Sequence, residues 1–259
     1  MTAREPVLGV IPARYESSRF PGKPLVPIAG RPMIERVYRQ AGRCRTLDRI
    51  VVATDDQRIA DCVKGFGGEV LMTPADCPTG TDRTAIAARR FPGYPIVLNI
   101  QGDEPLLEPE AIDRAVELML AHPEAGITTL VRPARSRAEV NDPNYVKVVL
   151  AGDGRVLYFS RGQAPFCRDG KMAAGIGPGQ AHPWRVHIGL YVWRREALFR
   201  QVSLPVALIE RSEGLEQLRA MHDGIVVYAA DIADSSSVGV DRPQDVPKVE
   251  AIMRERGLE

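Results

Sequence analysis

GVIPARYESSRFPGKPLVPIAGRPMI, Gly9 to Ile34, joins an apolar run to a basic loop. The run itself starts two residues earlier. Val7–Ile11 is short, continuously apolar and followed by breakers, so it reads as a buried strand. Arg14, Arg19 and Lys23 come next, in a segment stiffened by Pro12, Pro21 and Pro24 and opened by Gly22. A strand that runs straight into clustered cations suits concentrated negative charge, and phosphate is the usual carrier. Backbone N–H groups of a glycine-containing loop supply donors. Arginine adds bidentate hydrogen bonds to phosphate oxygens, and lysine adds a point charge. The segment has neither GxxxxGK[ST] nor GxGxxG, and taken alone it reads equally as a solvated basic loop.

Working outward, short apolar runs alternate with helical patterns. Further strands are expected at Ile50–Ala53, Val70–Met72, Ile96–Ile100 and Ile127–Val131, with helices at Met33–Arg43, Gln57–Lys64, Arg83–Arg90 and Pro109–Ala121. Continuously apolar strands between amphipathic helices predict a mostly parallel α/β sheet covered on both faces. Such sheets bind ligands at the carboxyl ends of their strands. Three strand ends carry telling residues there: Pro12-Ala13-Arg14, Thr54-Asp55-Asp56 and Gln101-Gly102-Asp103-Glu104-Pro105.

After Val131 the rhythm changes. NYVKVVLAGDGRVLYFSR reads as two strands joined at Gly152-Asp153-Gly154, and Gly170 to Pro183 reads as a mobile loop. WRVHIGLYVWR is another strand. Helices at Arg195–Gln201 and Glu213–His222, a strand at Ile225–Ala230 and a helix at Pro243–Glu255 close the chain. The organisation expected is one domain over residues 1–259, with a β-rich subdomain inserted at about 132–192.

Composition narrows the function. The chain has 259 residues, 44% hydrophobic, with net charge +1, which gives no global case for nucleic acid or an anionic membrane. No apolar run approaches the about 18 residues of a membrane span, and no signal pattern precedes Val7. A soluble cytoplasmic protein is expected. Cys44, Cys62, Cys77 and Cys167 form no CxxC pair, and the four histidines have no metal-binding spacing.

Asp103, at a strand end beside the basic loop, makes sense if Mg²⁺ bridges it to an anionic ligand, because magnesium binds few protein carboxylates and fills its shell with phosphate and water. It also reads as a turn or helix-cap aspartate. Asp241, in SVGVDRPQD, is a second candidate ligand or a cap for the helix that Pro243 opens.

These motifs together resemble a known family. IPARYESSRFPGKPLVPIAGRPMI, VVATDD, TGTDR, NIQGDEP, DPNYVKVVL, LYFSR, HIGLY, LEQLR and GVD occur in the order seen in the 3-deoxy-manno-octulosonate (Kdo) cytidylyltransferases, over about Val7 to Met253. The resemblance implies a nucleotidyltransferase-type α/β fold, a homodimer, and transfer of CMP from CTP to a small anionic sugar acid, with Mg²⁺ and release of pyrophosphate. It implies that Arg14, Arg19 and Lys23 cradle the CTP phosphates, with Lys23 nearest the α-phosphate, and that Asp103 and Asp241 hold the magnesium. It further implies that Pro12, Ala13, Thr81, Arg83 and Gln101 bind the nucleotide, Arg83 near the cytosine. Gln101, Tyr158, Arg161, His187, Tyr191, Glu216 and Gln217 match positions around the acceptor, and the inserted subdomain is the implied acceptor-binding and dimer element. Tyr158 and Tyr191 also read as core aromatics, and Glu216 as a solvated helix charge.

The chain departs from the usual family text at Cys77-Pro78-Thr79-Gly80-Thr81, at Ser160-Arg161-Gly162-Gln163-Ala164-Pro165 and at Gly239-Val240-Asp241-Arg242-Pro243-Gln244-Asp245. Arg242 adds a cation near the expected metal site, which favours a more negative acceptor, or it simply points into water. A small phosphonate such as phosphonoformate is therefore an alternative acceptor. Two other classes fit the sequence less well. Sugar-1-phosphate nucleotidyltransferases carry a GxGTRxxxxxxxPK-type loop that this chain lacks. A nucleotide sensor would not need Lys23, Asp103 and Asp241 together.

Overall fold

The computed structural model describes residues 4–16, 20–168, 176, 182–232 and 239–258. The chain divides into two compact units, Met1–Asp113 with Ser236–Glu259, and Arg114–Ser235.

In the first unit, β1 (Val7–Ala13) is flanked by β4 (Arg49–Thr54) and β6 (Ile96–Asn99), with β5 (Val70–Met72) beyond β4, and every pairing is parallel. The register sets Ile11 opposite Val52 and Val10 opposite Asn99. Val7, Leu8, Val10 and Ile11 are wholly buried, as expected of a run with apolar residues on both faces. Between the basic loop and α1 (Met33–Ala41) lies a two-residue hairpin, β2 (Pro27–Ile28) with β3 (Arg31–Pro32), which the sequence reading missed. Met33, Ile34, Val37 and Ala41 form the buried side of α1, the spacing of an amphipathic helix.

α2 (Gln57–Gly65) starts at Asp56, whose carboxylate accepts from Arg58 N–H at 2.9 Å. α3 (Gly80–Arg90) starts three residues before the expected position. The reason is a reciprocal cap: Thr79 Oγ1 accepts from Asp82 N–H, and Asp82 Oδ2 accepts from Thr79 N–H. The chain leaves the first unit within α4 (Pro109–Ala121) and returns to it with a 3₁₀ turn at Pro243–Asp245 and α9 (Val246–Glu255). Val249 and Met253 of α9 pack with Ile28, Met33, Leu106 and Val240.

In the second unit, β7 (Ile127–Pro133) pairs parallel with β11 (Val227–Asp231) and antiparallel with β10 (Arg185–Arg194). β10 pairs antiparallel with β8 (Lys147–Leu150), and β8 with β9 (Val156–Ser160), the hairpin whose turn was expected at Gly152-Asp153-Gly154. The segment read as an insert, 132–192, supplies β8, β9 and most of β10. The remaining helices are α5 (Arg137–Asn141), α6 (Arg195–Ser203), α7 (Leu208–Glu213) and α8 (Gln217–His222). The single helix expected at Glu213–His222 is thus the end of one helix and the whole of the next. The break falls at Gly214, which adopts φ 61°, a left-handed conformation that ends helices. Trp184 is fully buried among Ala134, Val140 and Val186, and its indole N–H donates to Pro165 O at 2.9 Å. Gly170 to Pro183 falls almost wholly outside the described residues.

Asp113, the last residue of the first unit, is 2% exposed. Its Oδ1 accepts from Thr46 N–H at 2.9 Å and Thr46 Oγ1 at 2.7 Å, and its Oδ2 from Arg45 Nε at 3.1 Å. Burial alone raises a carboxyl's pKa, but the bonds from Thr46 and Arg45 outweigh it and hold Asp113 below the usual carboxylate range. With the folded value lowered, its stabilisation is present above the ordinary carboxylate pKa and is lost as pH falls through the folded value. Asp113→Ala strands the Thr46 donors, and calorimetry at neutral pH should read a loss of about 3 kcal/mol, or roughly 6–12 °C in Tm. The wild-type advantage should shrink below about pH 4. An unchanged Tm would refute this role.

Candidate active site

The carboxyl ends of β1 and β6 open onto a cleft of about 450 Å³ in the first unit, within the range of small-molecule sites. β1 delivers Ala13 and Arg14 to it. The basic loop folds back through Gly22 N–H donating to Tyr15 O at 2.8 Å, and Lys23 then opens a 3₁₀ turn, Lys23–Leu25. Tyr15 is clamped from outside by the Arg58 guanidinium, 3.3 Å from its ring centroid, and Arg58 is itself held by both oxygens of Asp56.

After β6 the chain passes Gln101 and Gly102 to Asp103. The passage is tight: a Cβ on Gly102 would stand 3.0 Å from Pro12 O. Asp103 O accepts from Val240 N–H at 2.9 Å, which brings the neighbouring Asp241 to the same place. Lys23 Nζ lies 2.7 Å from Asp103 Oδ2 and 3.7 Å from Asp241 Oδ1. One ammonium therefore faces two carboxylates at the strand ends; Lys23 and Asp103 are only partly exposed, so water screens that pair incompletely, while Asp241 is exposed.

The opposite wall is the start of α3. Cys77, Pro78, Thr79 and Gly80 line the cleft together with Arg83. Arg83 is 3% exposed; its guanidinium donates to Thr73 Oγ1 and stands 3.4 Å from Asp55 Oδ1. A buried cation on the wall, pinned by a carboxylate and a hydroxyl, is a fixed feature rather than a mobile surface charge. Burial pushes the Cys77 thiol up, so it stays protonated.

Of the residues named from sequence for the nucleotide and metal, Pro12, Ala13, Arg14, Lys23, Arg83, Gln101, Asp103 and Asp241 line this one cleft. Arg19 lies outside the described residues. Thr81 is buried in the first turn of α3 and is not among the lining residues. Arg242 is exposed and also off the lining; its N–H donates to Asp245 Oδ2 at 2.9 Å, as expected at a helix start. Pro24 and Cys77 to Gly80 were missed. The one signal for the latter was the cap pattern TGTD, which places a helix N-terminus, rich in free N–H groups, against an anion.

The remaining named residues belong to the second unit. Glu213, at the end of α7, accepts from Ser160 Oγ at 3.0 Å and Arg161 N–H at 2.8 Å, with the Tyr158 hydroxyl 3.4 Å away. The Arg161 guanidinium donates to Glu213 O, Pro143 O and Gly214 O, so its donors fasten the end of β9 to the α7–α8 turn. His187 Nε2 lies 2.8 Å from Thr129 Oγ1, and its ring stands edge-on to Phe159 and tilted against Tyr191, with centroids 5.0 and 5.3 Å away. Burial lowers the His187 pKa to about 3 and raises that of Tyr191, so both are neutral. Glu216 O accepts from Gln201 Nε2 at 3.1 Å. Gln217 is 5% exposed, and its Nε2 has no hydrogen-bond partner among the described residues.

A family model described as Cytidylyltransferase matches residues 8–232. The chain belongs to that family. A 3-deoxy-manno-octulosonate cytidylyltransferase of Syntrophotalea carbinolica is 47% identical over 96% of this chain and 98% of its own. The mitochondrial enzyme of the same description from Arabidopsis thaliana is 42% identical over 98% of this chain and 86% of its own. Among solved structures, a CMP:2-keto-3-deoxy-manno-octonic acid synthetase complexed with CTP aligns with a TM-score of 0.90 and 37% identity, over 97% of this chain and 99% of that one.

The cytidylyltransferase cleft is most sensitive where its backbone is most crowded. Gly102→Ala forces a methyl to within 3.0 Å of Pro12 O, so β6 or the start of the basic loop must shift. The variant should fold, but CTP binding measured by calorimetry should weaken by about tenfold or more. Unaltered affinity would show that the strand ends tolerate the displacement.

Proposed function

We propose that this cytidylyltransferase transfers CMP from CTP to Kdo with release of pyrophosphate, and that Asp103 and Asp241 hold Mg²⁺ in the reaction. The observation that carries the reading is the cluster of Lys23, Asp103 and Asp241 at the parallel strand ends, in a chain with relatives named for this chemistry at 42–47% identity over nearly its whole length.

The donor set fits magnesium. The two carboxylates already face one positive group, and hard carboxylate oxygens, few in number, leave the rest of a Mg²⁺ shell to phosphate and water. Bound there, Mg²⁺ supplies a Lewis acid that draws charge from phosphate oxygens.

The chain's own residues do the rest. A hydroxyl oxygen of the acceptor forms a bond to the α-phosphorus as the bond to pyrophosphate breaks in line, and the hydroxyl proton passes to water. Lys23 and Arg14 stabilise charge on the phosphoryl and leaving-group oxygens, a role for preorganised cations in a partly dry cleft. Arg19 belongs to the same proposed cradle. Arg83, held by Asp55 and Thr73, walls the nucleotide pocket. In the second unit, the Gln217 amide, whose Nε2 has no partner among the described residues, and the neutral His187 and Tyr191 are groups suited to sugar hydroxyls, and Tyr158, Arg161 and Glu216 complete the proposed acceptor set.

A small phosphonate acceptor is not favoured. The relatives are named for the sugar acid, and Arg242, on which the phosphonate reading leaned, is exposed and off the cleft lining. The homodimer is part of the same proposal, supported by the resemblance and by the exposure of Phe166 and Leu208, 77% and 79%, on the second unit; light scattering that reports a monomer removes it. No helix among the described residues is long and apolar enough to cross a membrane, and the proposal places the reaction in the cytoplasm.

Purified protein with CTP and Mg²⁺ should release pyrophosphate on addition of Kdo and not of phosphonoformate. Asp103→Asn should lower kcat by about 10²-fold or more with the fold retained, and chelation should abolish turnover. Release with phosphonoformate alone would overturn the acceptor, and full activity of Asp103→Asn would overturn the metal ligand.

A further inference from the structure

The ladder between β7 and β10 is broken. Pairing is regular from Arg185 to Ile188, shifts, and resumes at Val192 opposite Thr128. Bulges of this kind re-aim side chains beside binding sites, and here the shift lies between His187 and Val192, with Tyr191 inside it. The carbonyls it frees need donors. Thr129, on β7 and fully buried, answers them from its side chain: its hydroxyl lies 2.6 Å from Leu190 O and 3.2 Å from Ile188 O. The same Oγ1 lies 2.8 Å from His187 Nε2.

A threonine hydroxyl has one proton and two lone pairs. Carbonyl oxygens only accept, so the proton goes to Leu190 O, the nearer one. Oγ1 can then meet His187 Nε2 only as an acceptor, and Nε2 must carry the ring proton. Burial lowers the ring's pKa to about 3, which leaves a single proton on the imidazole. Nδ1 is left with a lone pair and no hydrogen-bond partner among the described residues. Phe159 and Tyr191 hold the ring plane from two sides.

The geometry points to Thr129 as a positioning residue that fixes His187 as the Nε2–H tautomer and so presents Nδ1 as a hydrogen-bond acceptor for a hydroxyl of the acceptor substrate. The inference rests on the proposed placement of His187 against the acceptor. It assigns the polarity of that contact: His187 recognises a donor and rejects an acceptor atom at the same point, a discrimination that follows from leaving two lone pairs opposed.

Two arms test it. Long-range ¹H–¹⁵N spectra of the ¹⁵N-labelled wild-type protein should give His187 a pyrrole-type Nε2 and a pyridine-type Nδ1 at neutral pH. Thr129→Ser should keep both shifts and the acceptor KM. Thr129→Val should disturb the tautomer signature and raise KM for Kdo roughly tenfold, with KM for CTP unchanged. An Nδ1–H tautomer in the wild type would overturn the assignment with no need of any variant. Wild-type spectra as stated but an unmoved KM for Kdo in Thr129→Val would overturn the role of Nδ1 in recognition. If Kdo is not turned over by the wild type at all, the proposed reaction fails, while the spectra still decide the tautomer.

Discussion

Two carboxylates brought together at a strand edge repel unless a proton or a cation sits between them, and in the first unit that cation is Lys23. Asp103 follows β6, and Asp241 precedes α9, far away in the chain. The bond from Val240 N–H to Asp103 O ties their backbones together, which sets like charges side by side. Lys23 relieves the repulsion from 2.7 and 3.7 Å. Its place depends in turn on the fold-back of the basic loop onto Tyr15, on the clamp of Arg58 over that ring, and on the close passage of Gly102 past Pro12. Lys23 is paired with two carboxylates, and in the proposed reaction it would share them with a triphosphate and a divalent cation. A group held between two partners is preorganised and also exchangeable, which suits the proposed role of a cation that follows charge from the α-phosphate to the leaving group.

The parallel core was legible in the sequence because its signal is local. Val7–Ile11 and Ile96–Ile100 are apolar on both faces, and only strands buried on both faces afford that pattern. The strand-end residues Arg14, Lys23, Asp103 and Asp241 were legible because a loop that serves a charge must display it. What escaped was built by contacts distant in sequence or by backbone detail. Thr46 and Asp113 are 67 residues apart, Thr129 and His187 58 apart, and Ser160 and Glu213 53 apart. None of Thr129, Asp113 and Glu213 differs in type or spacing from an ordinary polar residue. The β2–β3 hairpin is two residues a side, too short for alternation to register, and the split of α7 from α8 hung on the left-handed turn at Gly214.

The two units solve different problems with different means. The first concentrates charge: a paired lysine, a buried arginine pinned by Asp55 and Thr73, and a helix start at the cleft wall. The second brings together neutral hydrogen-bonding groups, with His187 and Tyr191 held uncharged by burial and the Gln217 Nε2 without a hydrogen-bond partner among the described residues. Its arginine at position 161 donates to the carbonyls of Pro143, Glu213 and Gly214 and so fixes the end of β9. In the proposed reaction the first unit would meet the triphosphate, and the second would read the hydroxyls of the sugar acid.

The most direct measurement is an anomalous difference map from crystals grown with CTP and Mn²⁺ in place of Mg²⁺. The account predicts a manganese peak within coordination reach of both Asp103 and Asp241, with the Lys23 ammonium turned toward a phosphate oxygen. A peak coordinated by neither carboxylate, with CTP bound and Lys23 still paired to Asp103, would contradict it.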